Sequence, residues 1–219
     1  MQMCNISKIA FSLMALWCSV GPLTNTAAQP TGYTPVKDIA AFKESFARES
    51  GKIQSIESAF RQEKVLSALT ETIQSRGQFW FKRTNRVRIE YQSPFSYVMV
   101  LNGDKMTVRD GEKQTQVNMR SNKLFQQVNR IMIDCVQGTI LESKDFTYRV
   151  FENGESYLLE LTPTSKALRE FFQLIHLSIR KSDYVASSIE MNEPGGDKTT
   201  IYFVDRKINK PVADAVFNL

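Results

Sequence analysis

Histidine and cysteine are nearly missing from this 219-residue chain: there is one histidine, His176, and of three cysteines two, Cys4 and Cys18, lie in the first 28 residues. Beyond them Cys135 is the single thiol, so no disulfide framework can form and the remainder must be stabilised by burial. Paired-cysteine spacings, an H-E-x-x-H helix, a G-x-S-x-G elbow and a Walker-type glycine loop are all missing. No metal or cofactor is therefore expected. The remaining catalytic candidates are weak. His176 alternates onto the polar side of its segment, a solvent-facing place rather than that of a base. Cys135 falls on an apolar stripe, where a small buried hydrophobe is a better reading than a nucleophile. Glu190 and Glu193, three apart on an extended segment, face opposite ways and cannot act as a pair. The expectation is a protein that is not an enzyme.

Runs of one charge and long apolar runs are also missing. The 28 cations and 23 carboxylates give a net charge of +5, spread without a Lys/Arg cluster, so nucleic-acid binding is not expected. The longest apolar stretch, IAFSLMALWCSVGPL, is broken by Gly21 and Pro22 and falls short of the ~20 residues a membrane span needs. It follows Lys8 and precedes Thr26-Ala27-Ala28, small residues of the kind a signal peptidase reads. Residues 1–28 therefore read as a cleavable signal peptide. Trp17 before Cys18 is unlike a lipoprotein signal, so residues 29–219 are expected as one exported domain, free in solution from near Gln29.

What the chain does contain is periodic. Thr34 and Pro35 offer an N-cap and first-turn proline, and Ile39, Phe42, Phe46 and Ile53 recur at helical spacing, predicting a helix from about Val36 to Gly51. From Ile56 the period becomes two. Asn102-Gly103, Asp110-Gly111, Asn153-Gly154 and Gly195-Gly196 then separate runs rich in Val, Ile, Tyr, Phe and Thr, the pattern of an antiparallel meander of about eleven strands. The meander is interrupted by SNKLFQQVNRIMIDCVQG, in which Ser121 suits an N-cap, Gly138 a stop, and Leu124, Phe125, Val128, Ile131, Met132, Cys135 and Val136 form a helical stripe. Ser165 to Phe172 could be a third helical piece or a loop.

Several strands are apolar on one face only: Val87, Ile89 and Tyr91 oppose Arg88 and Glu90, and Ile175, Leu177 and Ile179 oppose His176, Ser178 and Arg180. A one-sided sheet this long curls, and the helices must cover its concavity. Two arrangements satisfy that pattern: an ordinary filled core, or a half-barrel whose lid helices enclose a cavity for an apolar ligand. One residue stands out. Phe79 and Phe81 share a face, and the same period carries Arg83 onto it. An edge cation, a structural ion pair and a functional contact all remain open for it.

The order helix, FRQEK (Phe60 to Lys64), GQFWFKR (Gly77 to Arg83), RIEYQSP (Arg88 to Pro94), NGDKM (Asn102 to Met106), helical insert and LTP (Leu161 to Pro163) resembles the periplasmic outer-membrane lipoprotein carrier family, LolA. The resemblance implies a mainly β (α+β) fold: a curved antiparallel half-barrel sheet closed by amphipathic lid helices over a hydrophobic cavity. It implies a periplasmic, monomeric carrier that receives acylated lipoproteins from an inner-membrane ABC lipoprotein-releasing transporter and passes them to an outer-membrane acceptor. The wide apolar stripe of the insert over the one-sided sheet places Phe79, Phe81, Val87, Ile89 and Tyr91 of the sheet, and Leu124, Phe125, Val128, Ile131 and Met132 of the insert, around the ligand. The resemblance makes Arg83 a latch that donates to lid-helix carbonyls, a role suited to five donors on a permanent cation. Thr84 stands where the family has proline. A sensor of mislocalised lipids, or a carrier of a polyene lipid or isoprenoid, would need the same cavity.

Overall fold

The structure, a computed structural model, describes residues 29–69, 71–83, 85–118 and 123–219, with side chains for all of these but 123–129. Twelve strands form one antiparallel sheet: β1 (Thr34–Pro35), β2 (Ser55–Val65), β3 (Thr72–Lys82), β4 (Arg86–Ser93), β5 (Tyr97–Asn102), β6 (Lys105–Asp110), β7 (Lys113–Asn118), β8 (Phe146–Glu152), β9 (Ser156–Pro163), β10 (Leu174–Arg180), β11 (Ala186–Asn192) and β12 (Lys198–Ile208). Their order is β1-β8-β9-β10-β11-β12-β2-β3-β4-β5-β6-β7, so the chain's two meanders join through the β12–β2 ladder. Among the described residues three α-helices accompany them: α1 (Ile39–Gly51), α2 (Lys123–Gln137) and α3 (Lys166–Arg169). This is the open, curved, mainly antiparallel sheet that the alternating pattern predicts, with the turns at the four glycine pairs.

One local expectation is corrected. Thr34 and Pro35 are not a helix cap: they pair with Phe151 and Glu152 as the short edge strand β1. The cap of α1 is Asp38, whose carboxylate accepts from the Ala41 N–H at 2.9 Å, because an acidic side chain can satisfy a first-turn N–H that proline only leaves out. Ser121 lies outside the described residues. Gly138 ends α2 with φ +75°, and Ser165 caps α3 by accepting from the Leu168 N–H.

The concave face carries two apolar clusters. In one, Phe42 and Phe46 of α1 pack on Val150, Leu159, Leu161, Leu177 and Ile179. In the other, Ile53, Ile56, Phe60, Phe79, Phe81, Val87, Leu101 and Met106 gather on β2–β6. Helix α2 straddles them. Ile131 and Cys135, one turn apart, face the first cluster, while Met132 and Val136, rotated by ~100°, face the second.

The convex face is not wholly polar. Trp80, Val98 and Val100 are covered by the C-terminal segment through Val212 and Phe217. Lys82 donates to the Val212 carbonyl at 2.8 Å, Arg86 pairs with Asp214 at 2.8 Å and Arg88 donates to the Val216 carbonyl at 3.1 Å. A row of cations thus fastens the tail to the back of β3 and β4.

Candidate functional site

A cavity of about 110 Å³ lies at the seam of the two clusters, beneath α2. Ile53, Ile56, Phe60, Phe79, Ile89 and Tyr91 form one wall, and Tyr184, Val185, Ala186 and Ile189 the opposite one. Ile201 and Phe203 of β12 join them, and Met132, Cys135 and Val136 form the roof. The core is therefore filled on both sides and open between them. The room amounts to on the order of ten water-sized sites, enough for part of one acyl chain.

Backbone detail shapes this wall. A Cβ on Gly77 would sit 2.0 Å from the Glu90 carbonyl oxygen and 2.6 Å from the Phe60 ring, so glycine lets β4 and the Phe60 ring close in at the ladder irregularity between Arg76 and Gly77. Phe60 meets Tyr91 edge-on with centroids 5.0 Å apart, and the Tyr91 hydroxyl donates to Gln62 Oε1 at 2.8 Å. Burial pushes the Tyr91 pKa up from its ordinary value, with a smaller push from Tyr97. The phenol stays protonated and its hydrogen bond fixes the ring at the cavity's end.

Of the sheet residues expected around a ligand, Phe79, Ile89 and Tyr91 stand on the cavity wall, and Met132 stands on its roof. Phe81 and Val87 do not: both are fully buried with Leu101 and Met106, nearer the β3–β4 turn, where side chains fill the concavity. Ile131 is turned toward the α1 cluster. The side chains of Leu124, Phe125 and Val128 lie outside those described. Sequence reasoning misses the wall from Tyr184 to Ile189 and the Ile201–Phe203 row, although Ile189 with Met191, and Ile201 with Phe203, repeat the same period of two.

Arg83 sits at the rim where β3 ends. Its Nε donates to the Ile53 carbonyl at 2.8 Å, and its Nη2 donates to those of Gly51 at 3.0 Å and Ser50 at 3.2 Å. These are carbonyls at and just past the end of α1, where helical partners run out and a cation is favoured. Among the described residues Arg83 makes no ion pair. The helix it grips is α1; among the described residues it makes no hydrogen bond to α2.

Three other titratable groups have definite environments. Arg206 brings a guanidinium to the cavity edge and donates to the Ala186 carbonyl at 2.7 Å; burial lowers its pKa, with Arg180 adding repulsion. Burial, with a smaller push from Asp134, takes the Cys135 thiol up to about 12, so no thiolate faces the cavity near neutrality. His176 is half-buried on the convex side between Glu190 at 3.3 Å and Glu160 at 3.4 Å, with Arg149 pairing Glu160 at 2.6 Å and Lys198 reaching Glu190 at 3.4 Å. Sequence alternation places its face correctly and misses this ladder, because its members come from β8–β12. No helix among the described residues is long and apolar enough to cross a membrane.

Comparisons agree with this architecture. The family model for the outer membrane lipoprotein carrier protein LolA matches residues 51–219. The outer-membrane lipoprotein carrier protein of Pseudomonas putida (strain W619) is 23% identical over 199 residues, which cover 91% of this chain and 88% of that protein. The protein of the same name from Pseudomonas paraeruginosa is 24% identical over 159 residues, covering 73% and 74% respectively. Among solved structures, an uncharacterized conserved protein from Thermus thermophilus superposes with a TM-score of 0.52 at 10% identity, over 83% of this chain and 94% of that one. The chain belongs to the LolA family of outer membrane lipoprotein carrier proteins.

Proposed function

We propose that this protein is a periplasmic carrier that shelters the acyl chains of lipoproteins between the inner and outer membranes. The observation that carries the reading is the apolar cavity at the seam of two packed clusters, roofed by a helix rather than sealed by the sheet. Residues 1–28 serve as the export signal. Cargo arrives from an inner-membrane ABC lipoprotein-releasing transporter and leaves to an outer-membrane acceptor, and the carrier acts as a monomer without a nucleotide of its own. The names of the relatives support the cargo class.

Energetics explain why the resting cavity is small. Burial is worth about 0.8 kcal/mol per CH₂, so one long acyl chain fully sheathed gains on the order of 10 kcal/mol and three would never be released. The closed state must compete with that gain. Three hydrogen bonds from Arg83 hold the end of α1, against which the end of α2, the helix that roofs the cavity, is packed. Opening breaks them, which offsets part of the burial and leaves net binding weak enough for hand-over. Arg83 is thus the latch of a lid formed by α1 and α2.

The test is the mass of what copurifies with the protein from the native envelope, measured under non-denaturing conditions. The carrier reading predicts an acylated polypeptide. A free isoprenoid or polyene lipid instead would make it a carrier of another apolar cargo.

A further inference from the structure

The concave face changes character one step beyond Tyr91. Phe60 and Gly77 face each other across β2 and β3; two residues along the same faces stand Gln62 and Ser75. On β4 the row Val87, Ile89, Tyr91 ends in Ser93, and Tyr97 and Asp110 continue the face on β5 and β6. Ser75, Ser93, Tyr97 and Asp110, with Pro94 and Phe95, line an open vestibule of about 540 Å³. Tyr91 lines both spaces, so the apolar cavity and this polar pocket meet at its ring.

Ser75 is the telling member. It is 8% exposed, and among the described residues its hydroxyl meets no hydrogen-bond partner. Nearly all buried hydroxyls are paired, and leaving one unpaired is costly. Here it lines the vestibule, ready for a partner that enters. Tyr97 is a second donor, kept protonated by burial and by the nearby Asp110 charge. Asp110 is an acceptor; Lys113, its ladder neighbour on β7, makes no ion pair with it among the described residues.

We propose that the vestibule is a headgroup subsite for the carbonyl-rich junction at which acyl chains meet a polypeptide. The hydroxyls of Ser75 and Tyr97 donate to ester and amide carbonyls of an acylated cysteine, and Asp110 accepts a peptide N–H, while the chains pass Tyr91 into the apolar cavity. This rests on the carrier reading and adds selectivity to it. An apolar cavity alone gives almost no discrimination between lipids of equal chain length, whereas donors left unpaired by the wrong ligand do.

The experiment uses two probes on the mature protein. N-phenyl-1-naphthylamine, a neutral apolar fluorophore with no carbonyl, reports occupancy of the cavity, and a synthetic diacylated lipopeptide displaces it. Ser75→Ala and Tyr97→Phe should bind the fluorophore as the parent does but lose lipopeptide affinity by about three- to tenfold each. Unchanged lipopeptide affinity, or an equal loss for both probes, would overturn the subsite while leaving the carrier intact. A parent protein that binds the fluorophore but does not exchange it for lipopeptide would overturn the carrier reading and the subsite with it.

Discussion

Gly138, the residue that ends α2, lies against Ser50 in the last turn of α1: a Cβ on Gly138 would stand 2.9 Å from the Ser50 Cβ and 2.7 Å from the Phe46 carbonyl oxygen. The Ser50 carbonyl is in turn held by Arg83. Both helices over the concave face thus meet at one point, which an arginine from the sheet grips. Gly138→Ala meets a φ of +75° as well as these contacts. It should cost about 1 to 3 kcal/mol from the backbone alone, lowering the thermal midpoint by about 2–4 °C per kcal/mol for a domain of this size. Differential scanning calorimetry checks this.

Arg83→Leu removes the three bonds to the end of α1, which in the proposed latch favour the closed state. Lid opening should become easier by about 1 to 3 kcal/mol, so the variant still loads but retains cargo, and release slows about tenfold for each 1.4 kcal/mol. Arg83→Lys should lie between, since an ammonium keeps the charge without the planar fork. Release of a preloaded lipopeptide to acceptor membranes measures both. Normal release by Arg83→Leu, with an unaltered midpoint, would return Arg83 to the role of a strand-end cation.

Ala186 is the smallest side chain on the cavity wall. Ala186→Leu grows into the void, so the thermal midpoint should hold or rise, whereas the same change in a filled core would cost about 1–3 kcal/mol. Lipopeptide affinity should fall by about tenfold or more as chain room is lost. Melting and fluorophore displacement on one preparation distinguish the two outcomes.

The His176 ladder makes stability depend on pH. The hydrogen bond to Glu190, above all, raises the His176 pKa over its ordinary 6.5, with burial opposing and Glu160 assisting. The protonated imidazole is therefore the form the fold favours. Its contribution is complete below the unfolded pKa and fades as pH rises through the raised folded value. The midpoint of the parent should exceed that of His176→Gln by more at about pH 6 than at about pH 8.5. Glu190, brought down to about 2 chiefly by His176, adds stability present above the ordinary carboxylate range and lost only toward strong acid. An equal difference at both pH values would remove His176 from this account.

How far the sequence reveals this molecule depends on the length scale of each feature. Alternation along strands is local, so the faces of Phe79, Ile89 and His176 can be read directly. The capping of α1 is equally local, yet the Thr34-Pro35 pair imitates a cap. Only the distant β8, which β1 joins, explains why Asp38 does that work instead. The division between buried Phe81 and cavity-facing Phe79 depends on where α2 comes to rest over the sheet, and no periodicity encodes that. The same holds for Tyr184 and Arg206, which reach the cavity because β11 and β12 close beside β2. Trp80 alternates away from Phe79 and Phe81 in the sequence and does face outward. The tail that covers it comes from residues more than a hundred positions away.

The most direct test of the central claim, that acyl chains occupy the seam beneath α2, is photo-crosslinking with a lipopeptide carrying a diazirine near the end of one acyl chain, followed by peptide mass mapping. The account predicts adducts on the cavity wall, in the peptides containing Phe79, Met132, Ile189 and Phe203. Adducts confined to exposed apolar residues such as Phe95 and Phe171, or spread without preference over the surface, would contradict it.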